Sequence, residues 1–257
     1  MRPLRILSVL SASWLLAGAA RAQVNAEAIR SQMAKDGAFA VLDASLVTRV
    51  GNTEGTTFGG SILGGFVKWR HLGFAKAQAD YANAQGATTV SRAFIHARYN
   101  HLLTREIALE AFGQVQTDRF RRLSLRSVGG FGPRFNVVHQ NHLEVFVATA
   151  YMIENEVLLA SSDPQDRRHD DLFHRSSSYA GVNLVIDDRS QFTTVTYFQP
   201  RWDLPSDFRI LHESALILAV GKYLSLKVGA IFRYDNEPPV GVKRYDLEVK
   251  NSLMLRF

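Results

Sequence analysis

The C-terminal stretch YDLEVKNSLMLRF, residues 245–257, alternates apolar and polar side chains up to its last residue. Its apolar face carries Tyr245, Leu247, Val249, Leu253, Leu255 and Phe257. Its polar face carries Asp246, Glu248, Lys250, Ser252 and Arg256. Because successive side chains of a β-strand point to opposite faces, this period of two predicts an amphipathic strand at the C-terminus.

The same alternation recurs along the chain back to about residue 38. It predicts about twelve strands, near 38–50, 56–69, 73–83, 88–100, 105–117, 120–135, 141–154, 176–187, 190–199, 207–220, 223–235 and 243–257. Tilted strands of this length can span a bilayer. Closing the sheet gives every backbone N–H and C=O group a hydrogen-bond partner, which the lipid cannot supply. We therefore predict an all-β fold, a single antiparallel transmembrane β-barrel of about 12 strands. A secreted soluble β-sandwich is the alternative.

The first 22 residues have the features of a secretory signal peptide. Arg2 and Arg5 precede an apolar stretch, residues 6–20, and residues 20–22 form a small-x-small cleavage site. The mature chain is expected to begin at Gln23 with a short periplasmic helical segment, residues 23–36, before the barrel at residues 37–257. A membrane anchor is the alternative, but the apolar stretch is shorter than a spanning helix needs.

Composition excludes several classes of protein. The chain has 257 residues and no cysteine, so it is not a disulfide scaffold, a thiol enzyme, a zinc-thiolate protein or an iron-sulfur protein. Its formal charge of +6 falls to +3 without the signal peptide, which removes three arginines and no acid. The mature charge is therefore too balanced for a dedicated nucleic-acid binder.

The predicted connections also alternate in length. If the N-terminus is periplasmic, the periplasmic turns are short, whereas the outer loops include residues 155–174, 200–206 and 236–241. Short turns on one side and long loops on the other are typical of outer-membrane barrels. Aromatic residues near the predicted strand ends suit two interfacial girdles: Trp69, Phe74, Tyr81, Tyr99, Phe135, Tyr151, Tyr223 and Tyr234.

Several segments resemble a known family. They are residues 51–54, 116–123, 128–133, 151–156 and 197–200 followed by 207–209. Together they resemble the YdiY-like family of salt-induced outer-membrane proteins, which is also held as a domain of unknown function. The resemblance covers residues 37–257 and implies a Gram-negative outer-membrane barrel linked to salt, without indicating any chemistry. The terminal Phe257 resembles the signal that the outer-membrane assembly machinery recognises, which implies that machinery as a partner.

The faces predicted to point into the lumen carry charges of both signs. The candidate lumen-lining and selectivity residues are Lys76, Arg92, Arg98, Glu110, Arg122, Arg126, Arg134, Glu144, Arg209, Glu213 and Arg233. They can pair with each other and fill the barrel, or line a narrow passive channel with a mild anion preference. The sequence leaves both functions open for a non-enzymatic envelope protein linked to salt or osmotic stress.

An outer-membrane lipid hydrolase is the enzymatic alternative. His212 and Ser214 lie two residues apart and so share one strand face, as in lipid A deacylase barrels, which this pair resembles. A third residue that would orient the imidazole is not evident from the sequence. We therefore expect no catalytic residues.

The longest predicted loop contains possible metal ligands. They are Asp163, Asp166, His169, Asp170, Asp171 and His174. Arg167, Arg168 and Arg175 dilute their negative charge, so a solvated loop that contacts lipopolysaccharide phosphates is expected instead of a metal site. We expect no metal and no cofactor, outer-membrane lipids and lipopolysaccharide as surroundings, and a monomer.

Overall fold

The computed structural model describes residues 36–50, 55–84, 87–160 and 170–257. Within them lie twelve strands: β1 Gly37–Val50, β2 Gly55–Lys68, β3 His71–Ala84, β4 Ala87–Leu102, β5 Ile107–Asp118, β6 Leu123–His139, β7 Leu143–Leu158, β8 Asp170–Val185, β9 Ser190–Pro200, β10 Phe208–Ala219, β11 Leu224–Asp235 and β12 Tyr245–Arg256. A 3-10 helix, Arg119–Arg121, joins β5 to β6. The predicted signal peptide and the predicted helical segment before Asp36 lie outside the described residues.

The strands form one closed antiparallel sheet. Each strand pairs with its neighbours in sequence, and β1 pairs with β12 to close the barrel. At this seam, the backbone N–H of Phe257 donates to the carbonyl of Ala40 at 3.0 Å, and the N–H of Ala40 donates to the carbonyl of Phe257. The sequence prediction of an all-β barrel of about twelve strands is confirmed.

The even number of strands places the two ends of the sheet at the same end of the barrel, which we call the terminal end. The connections there are short, at residues 69–70, 103–106, 140–142, 186–189 and 220–223. The opposite end, which we call the loop end, carries the longer connections at residues 159–169, 201–207 and 236–244. The predicted asymmetry of short turns and long loops is therefore present.

One predicted loop is shorter than expected. Residues 155–174 are not all loop, because β7 continues to Leu158 and β8 already begins at Asp170. Asn155 donates a side-chain hydrogen bond to Asp170 across the two strands at 2.7 Å. Here polar residues lie on both faces of the two strands, so apolar and polar residues do not alternate as they do in the other strands. The sequence pattern therefore did not predict these strand ends.

The barrel is apolar outside and polar inside. Large apolar side chains are exposed on the outer wall, among them Phe58 at 77%, Phe131 at 66% and Leu253 at 51%. Charged side chains such as Arg134 and Glu154 are fully buried in the interior. This arrangement matches a wall in contact with lipid and reverses that of a soluble domain.

Of the expected girdle residues, Trp69, Tyr81, Tyr99 and Tyr223 are exposed, but Phe74 is not. Phe74 points inward and packs in an apolar cluster with Leu63 and Phe94. Its placement in the girdle was therefore wrong, because β3 begins at His71 and its alternation puts Phe74 on the inner face.

Glycines in the wall make room for large inward side chains. A Cβ atom on Gly181 would lie 2.3 Å from the ring of Phe146, and one on Gly65 would lie 2.4 Å from the ring of Phe39. These distances are far below a van der Waals contact, so a larger residue at either position would displace the aromatic ring. No helix in the described part of the chain is long and apolar enough to cross a membrane.

Candidate functional site in the lumen

The interior of the barrel is the place where polar and titratable side chains converge. All the candidate lumen residues named from the sequence are on inward faces of strands except Arg122. Their role in selectivity stays a prediction.

Glu154 is the centre of an ion-pair network in the half of the lumen nearer the loop end. Its carboxylate accepts hydrogen bonds from Arg126 of β6, Arg175 of β8 and Arg209 of β10. Because β7 and β10 are not neighbours in the sheet, the Arg209 contact crosses the lumen. Arg209 also donates to Glu156 at 3.1 Å and to Asp235 at 2.9 Å. The network therefore ties opposite parts of the wall together.

A second crossing is made by Arg92 of β4. Its guanidinium donates to Asp80 on the adjacent β3 and to Glu248 on β12, the latter at 3.3 Å. Three strands separate β4 from β12 around the sheet, so this pair also spans the interior. All three side chains are less than a tenth exposed. Buried pairs of this kind are stable only when each charge keeps its partner.

Aromatic and aliphatic side chains pack together inside the barrel on β7, β8, β9 and β10. We call the cluster of Phe146, Ala148, Tyr179, Val195, Tyr197 and Leu211 the aromatic plug. The rings of Tyr179 and Tyr197 have centroids 4.8 Å apart. Phe146 is fully buried, and the guanidinium carbon of Arg134 lies 3.9 Å from the centroid of its ring. The plug therefore places buried apolar side chains inside this part of the barrel.

Charged groups brace the plug from the opposite wall. The hydroxyl of Tyr179 on β8 donates to Glu110 on β5 at 2.7 Å. The same carboxylate accepts from Arg98 on β4 at 3.2 Å. Since β5 and β8 are three strands apart, Tyr179 reaches across the interior. Arg134 donates to Glu144 at 3.3 Å and to Asn136, so its charge is also compensated.

Two lysines and a glutamate are further inward charges at mid-height. Lys250 of β12 pairs with Asp43 of β1 at 3.1 Å. Lys76 lies over the ring of Phe94 at 5.5 Å from its centroid. Glu213 is buried on the inward face of β10. Charges of both signs are therefore buried at this height as well.

Arg122 is the exception among the predicted lumen residues. It lies in the turn after the 3-10 helix, with a positive φ of 58°. Its guanidinium donates to the carbonyls of Leu159 at 2.7 Å and Val240 at 3.0 Å. The expectation that Arg122 lines the lumen was wrong, because the helix and turn interrupt the strand that the sequence pattern placed at 120–135. Arg122 instead joins three loop-end connections.

Several residues of the network were missed from the sequence. Arg175 was expected to face lipopolysaccharide phosphates from a loop, but it is fully buried and pairs with Glu154 and with Asp207 at 2.9 Å. Its burial alternates with that of its neighbours on β8, but the residues around it do not alternate between apolar and polar, so the sequence carries no signal that places it inside. Asp207 also pairs with Arg201 at 3.1 Å. Arg201 also donates to Asp203, which lowers the pKa of the Asp203 carboxyl below its usual value.

The outer wall carries one polar cluster of interest, at the pair that the hydrolase alternative invokes. The hydroxyl of Ser214 lies 2.8 Å from Nε2 of His212, and the hydroxyl of Thr196 lies 2.9 Å from Nδ1 of the same ring. Ser214 also contacts Thr194 at 3.2 Å. The position that orients the imidazole is thus held by a threonine hydroxyl, which carries no charge to stabilise an imidazolium.

The candidate metal ligands of the long loop fall partly outside the described residues, including Asp163, Asp166 and His169. Of those described, Asp170 accepts from Asn155 and His174 contacts the Tyr151 hydroxyl through Nδ1 at 2.5 Å. No group of three metal-ligating side chains occurs within the part of the chain that the structure describes.

Comparisons with known proteins agree with this architecture. A family model described as "Protein of unknown function, DUF481" matches residues 42–257. No curated protein matches the chain. Among solved structures, the NanC porin is similar, with a TM-score of 0.56 and 8% identity over 83% of this chain and 98% of that one. The KdgM porin in complex with disordered oligogalacturonate has a TM-score of 0.51 and 8% identity over 84% and 99%. At such identities the likeness shows the fold alone.

Proposed function

This chain belongs to the DUF481 family of proteins of unknown function, and from this premise we propose that it is a non-enzymatic barrel with an occluded lumen. We place it in the outer membrane of a Gram-negative bacterium, where it supports the envelope under osmotic or salt stress. Outer-membrane lipids and lipopolysaccharide surround it, and it acts as a monomer.

The observation that carries this proposal is the burial of inward side chains in two clusters of the lumen. Glu154 and Arg175 are fully buried near the loop end, and Phe146 and Tyr197 are fully buried in the aromatic plug. A water-filled channel would leave such side chains solvated. Buried ion pairs are screened by salt much less than exposed pairs. An interior held by them therefore keeps its electrostatic stabilisation when the external salt concentration rises.

We expect the wild-type mature protein to show no steady conductance in a planar bilayer at any salt concentration. In the proposed occluded lumen, the aromatic plug and the crossing ion pairs block the path of ions. The measurement is a recording on refolded protein, with insertion checked independently by protease protection. Steady conductance with anions moving faster, and reduced by Arg126→Ala, would establish the narrow-channel function instead.

Phe257 provides a test of the proposed location. Its side chain is 69% exposed, and its backbone completes the seam between β1 and β12. Phe257→Ala keeps both backbone hydrogen bonds and removes only the aromatic ring, so we expect a several-fold lower yield in the outer-membrane fraction but a normal sheet in the molecules that insert. Phe257→Tyr is the matched control, with near-normal yield. Wild-type yield of Phe257→Ala, or a mature protein soluble without detergent, would contradict the proposal.

A second candidate function is supported by the hydrogen bond between His212 and Ser214. A hydrolase of lipid esters would use Ser214 as nucleophile and His212 as base on the lipid-facing wall. The test is release of fatty acid from lipid A by the refolded protein, with Ser214→Ala as the inactive control. Release of fatty acid by the wild type but not by Ser214→Ala would support the hydrolase function. Equal background release by both proteins would exclude the hydrolase function.

A further inference from the structure

A polar cavity lies inside the barrel near the loop end. Its volume is about 60 Å³. Gln116 and Arg121 line it from the end of β5 and the following 3-10 helix, and Gln199 lines it from the end of β9. Arg126, Arg209 and Arg233 add basic groups to the lining, and Asp235 is its acidic residue. The cavity therefore lies near the loop end, and Leu211 of the aromatic plug forms part of its lining.

Three of the four cavity arginines are paired with acids. Arg126 donates to Glu154, Arg209 donates to Glu156 and Asp235, and Arg121 lies 3.4 Å from Asp246. These three guanidinium groups therefore have their charges compensated by the protein itself.

Arg233 differs from the other three. Its side chain is buried, with 7% of the residue exposed, and neither Nη1 nor Nη2 has a hydrogen-bond partner in the described structure. Glu213 and Glu248 act on it electrostatically without accepting from its Nη atoms. Glu248 accepts instead from Arg92 at 3.3 Å.

Buried donors without acceptors are costly, and for a guanidinium the cost is larger than for a neutral group. An anion with two oxygens can accept from both Nη atoms of one arginine at the same time. The cavity has room for roughly four water-sized groups, which is the size of a carboxylate or a tetrahedral oxoanion. The amides of Gln116 and Gln199 can donate to further oxygens or to hydroxyl groups of the same solute.

We propose that this cavity is a binding site for a small oxoanion, the phosphate or carboxylate of a solute, with Arg233 as its principal ligand. The anion enters from the loop end and binds Nη1 and Nη2 of Arg233. Arg121 adds long-range attraction while keeping its own acid partner. The site extends the function beyond that of an occluded envelope barrel and does not depend on conduction through the lumen.

The test is isothermal titration of the refolded mature protein in detergent with sodium phosphate and, separately, with sodium acetate. Sodium chloride at matched ionic strength gives the background. We expect saturable binding of at least one of the two anions, and the one that binds identifies the group as tetrahedral or planar. Arg233→Gln removes the charge and one arm of the bidentate donor, so it should weaken binding by about tenfold or more.

Arg256→Gln is the matched control, since Arg256 lies on the inward face of β12 at the terminal end, far from the cavity along the barrel. It should bind as the wild type does. A folded barrel migrates faster in electrophoresis when the sample is not heated than when it is heated. This difference in migration shows that each variant is folded before titration. Saturable binding lost only in Arg233→Gln supports the site. Equal affinity in Arg233→Gln, or no binding above the chloride background in the wild type, would overturn it.

Discussion

Glu154→Gln should be among the most destabilising single substitutions in the barrel. The change keeps the size of the side chain but removes the negative charge shared by Arg126, Arg175 and Arg209. Arg175 and Arg209 keep other acids, whereas Arg126 keeps none among the pairs observed in the described structure. Removing one partner of a buried ion pair typically costs about 3–5 kcal/mol.

The measurement is urea-induced unfolding of the refolded protein in lipid vesicles, followed by tryptophan fluorescence. With a urea dependence of about 2–3 kcal/mol per molar, the expected loss lowers the midpoint by roughly 1–2.5 M. Asp188→Asn is the control, because Asp188 is an exposed residue in a turn at the terminal end. A Glu154→Gln midpoint equal to that of Asp188→Asn would show that the network contributes little to stability.

Removing the aromatic plug should have the largest effect on permeability. The rings of Tyr179 and Tyr197 pack against each other in the plug, and Tyr179 also reaches Glu110 on the far wall. The double variant Tyr179→Ala with Tyr197→Ala deletes both rings and the crossing hydrogen bond. Water then fills the space, and the charged groups Arg98 and Glu110 become solvated. We expect conductance steps that are absent from the wild type, with a current per inserted protein raised on the order of tenfold.

The matched control deletes two tyrosines from the outer wall. Tyr223 and Tyr245 are 54% and 57% exposed, and neither belongs to the plug. Replacing both tyrosines with alanine should produce no conductance steps in the bilayer. Planar-bilayer recordings of both double variants, made on protein whose unheated electrophoretic mobility shows a folded barrel, compare the two directly. If the double variant of Tyr179 and Tyr197 showed no conductance, the ion pairs nearer the loop end would be sufficient to occlude the lumen.

Much of the fold could be predicted from the sequence because the period of two is a local property. Alternation from β1 to β12 predicted the number of strands and their direction, and the family match over residues 42–257 confirms the resemblance to the YdiY-like family. The pattern failed where it is interrupted. The 3-10 helix before Arg122 changes which face the next residues occupy, and apolar and polar residues do not alternate between the faces at the end of β7 and the start of β8.

The pairing inside the lumen could not be predicted in the same way. The sequence indicates that Glu154 and Arg209 both point inward, but not that they meet. Their contact depends on the registers of the intervening strand pairs β7–β8, β8–β9 and β9–β10, each of which shifts the height of the next strand. For the same reason the sequence left open whether the inward charges line water or pair with each other.

The most direct test of the occluded lumen uses the absence of cysteine from the chain, since a single introduced cysteine is then the only thiol. Ala148→Cys places a small thiol on the inward face within the aromatic plug, Ser206→Cys places one in an exposed loop, and Ala97→Cys places one on the lipid-facing wall. The refolded variants in vesicles are exposed to a charged, membrane-impermeant maleimide. The occluded lumen predicts rapid labelling of Ser206→Cys and none of Ala148→Cys or Ala97→Cys on the same timescale. Labelling of Ala148→Cys at the rate of Ser206→Cys would show that water and solutes pass through the plug, and would contradict the occluded lumen.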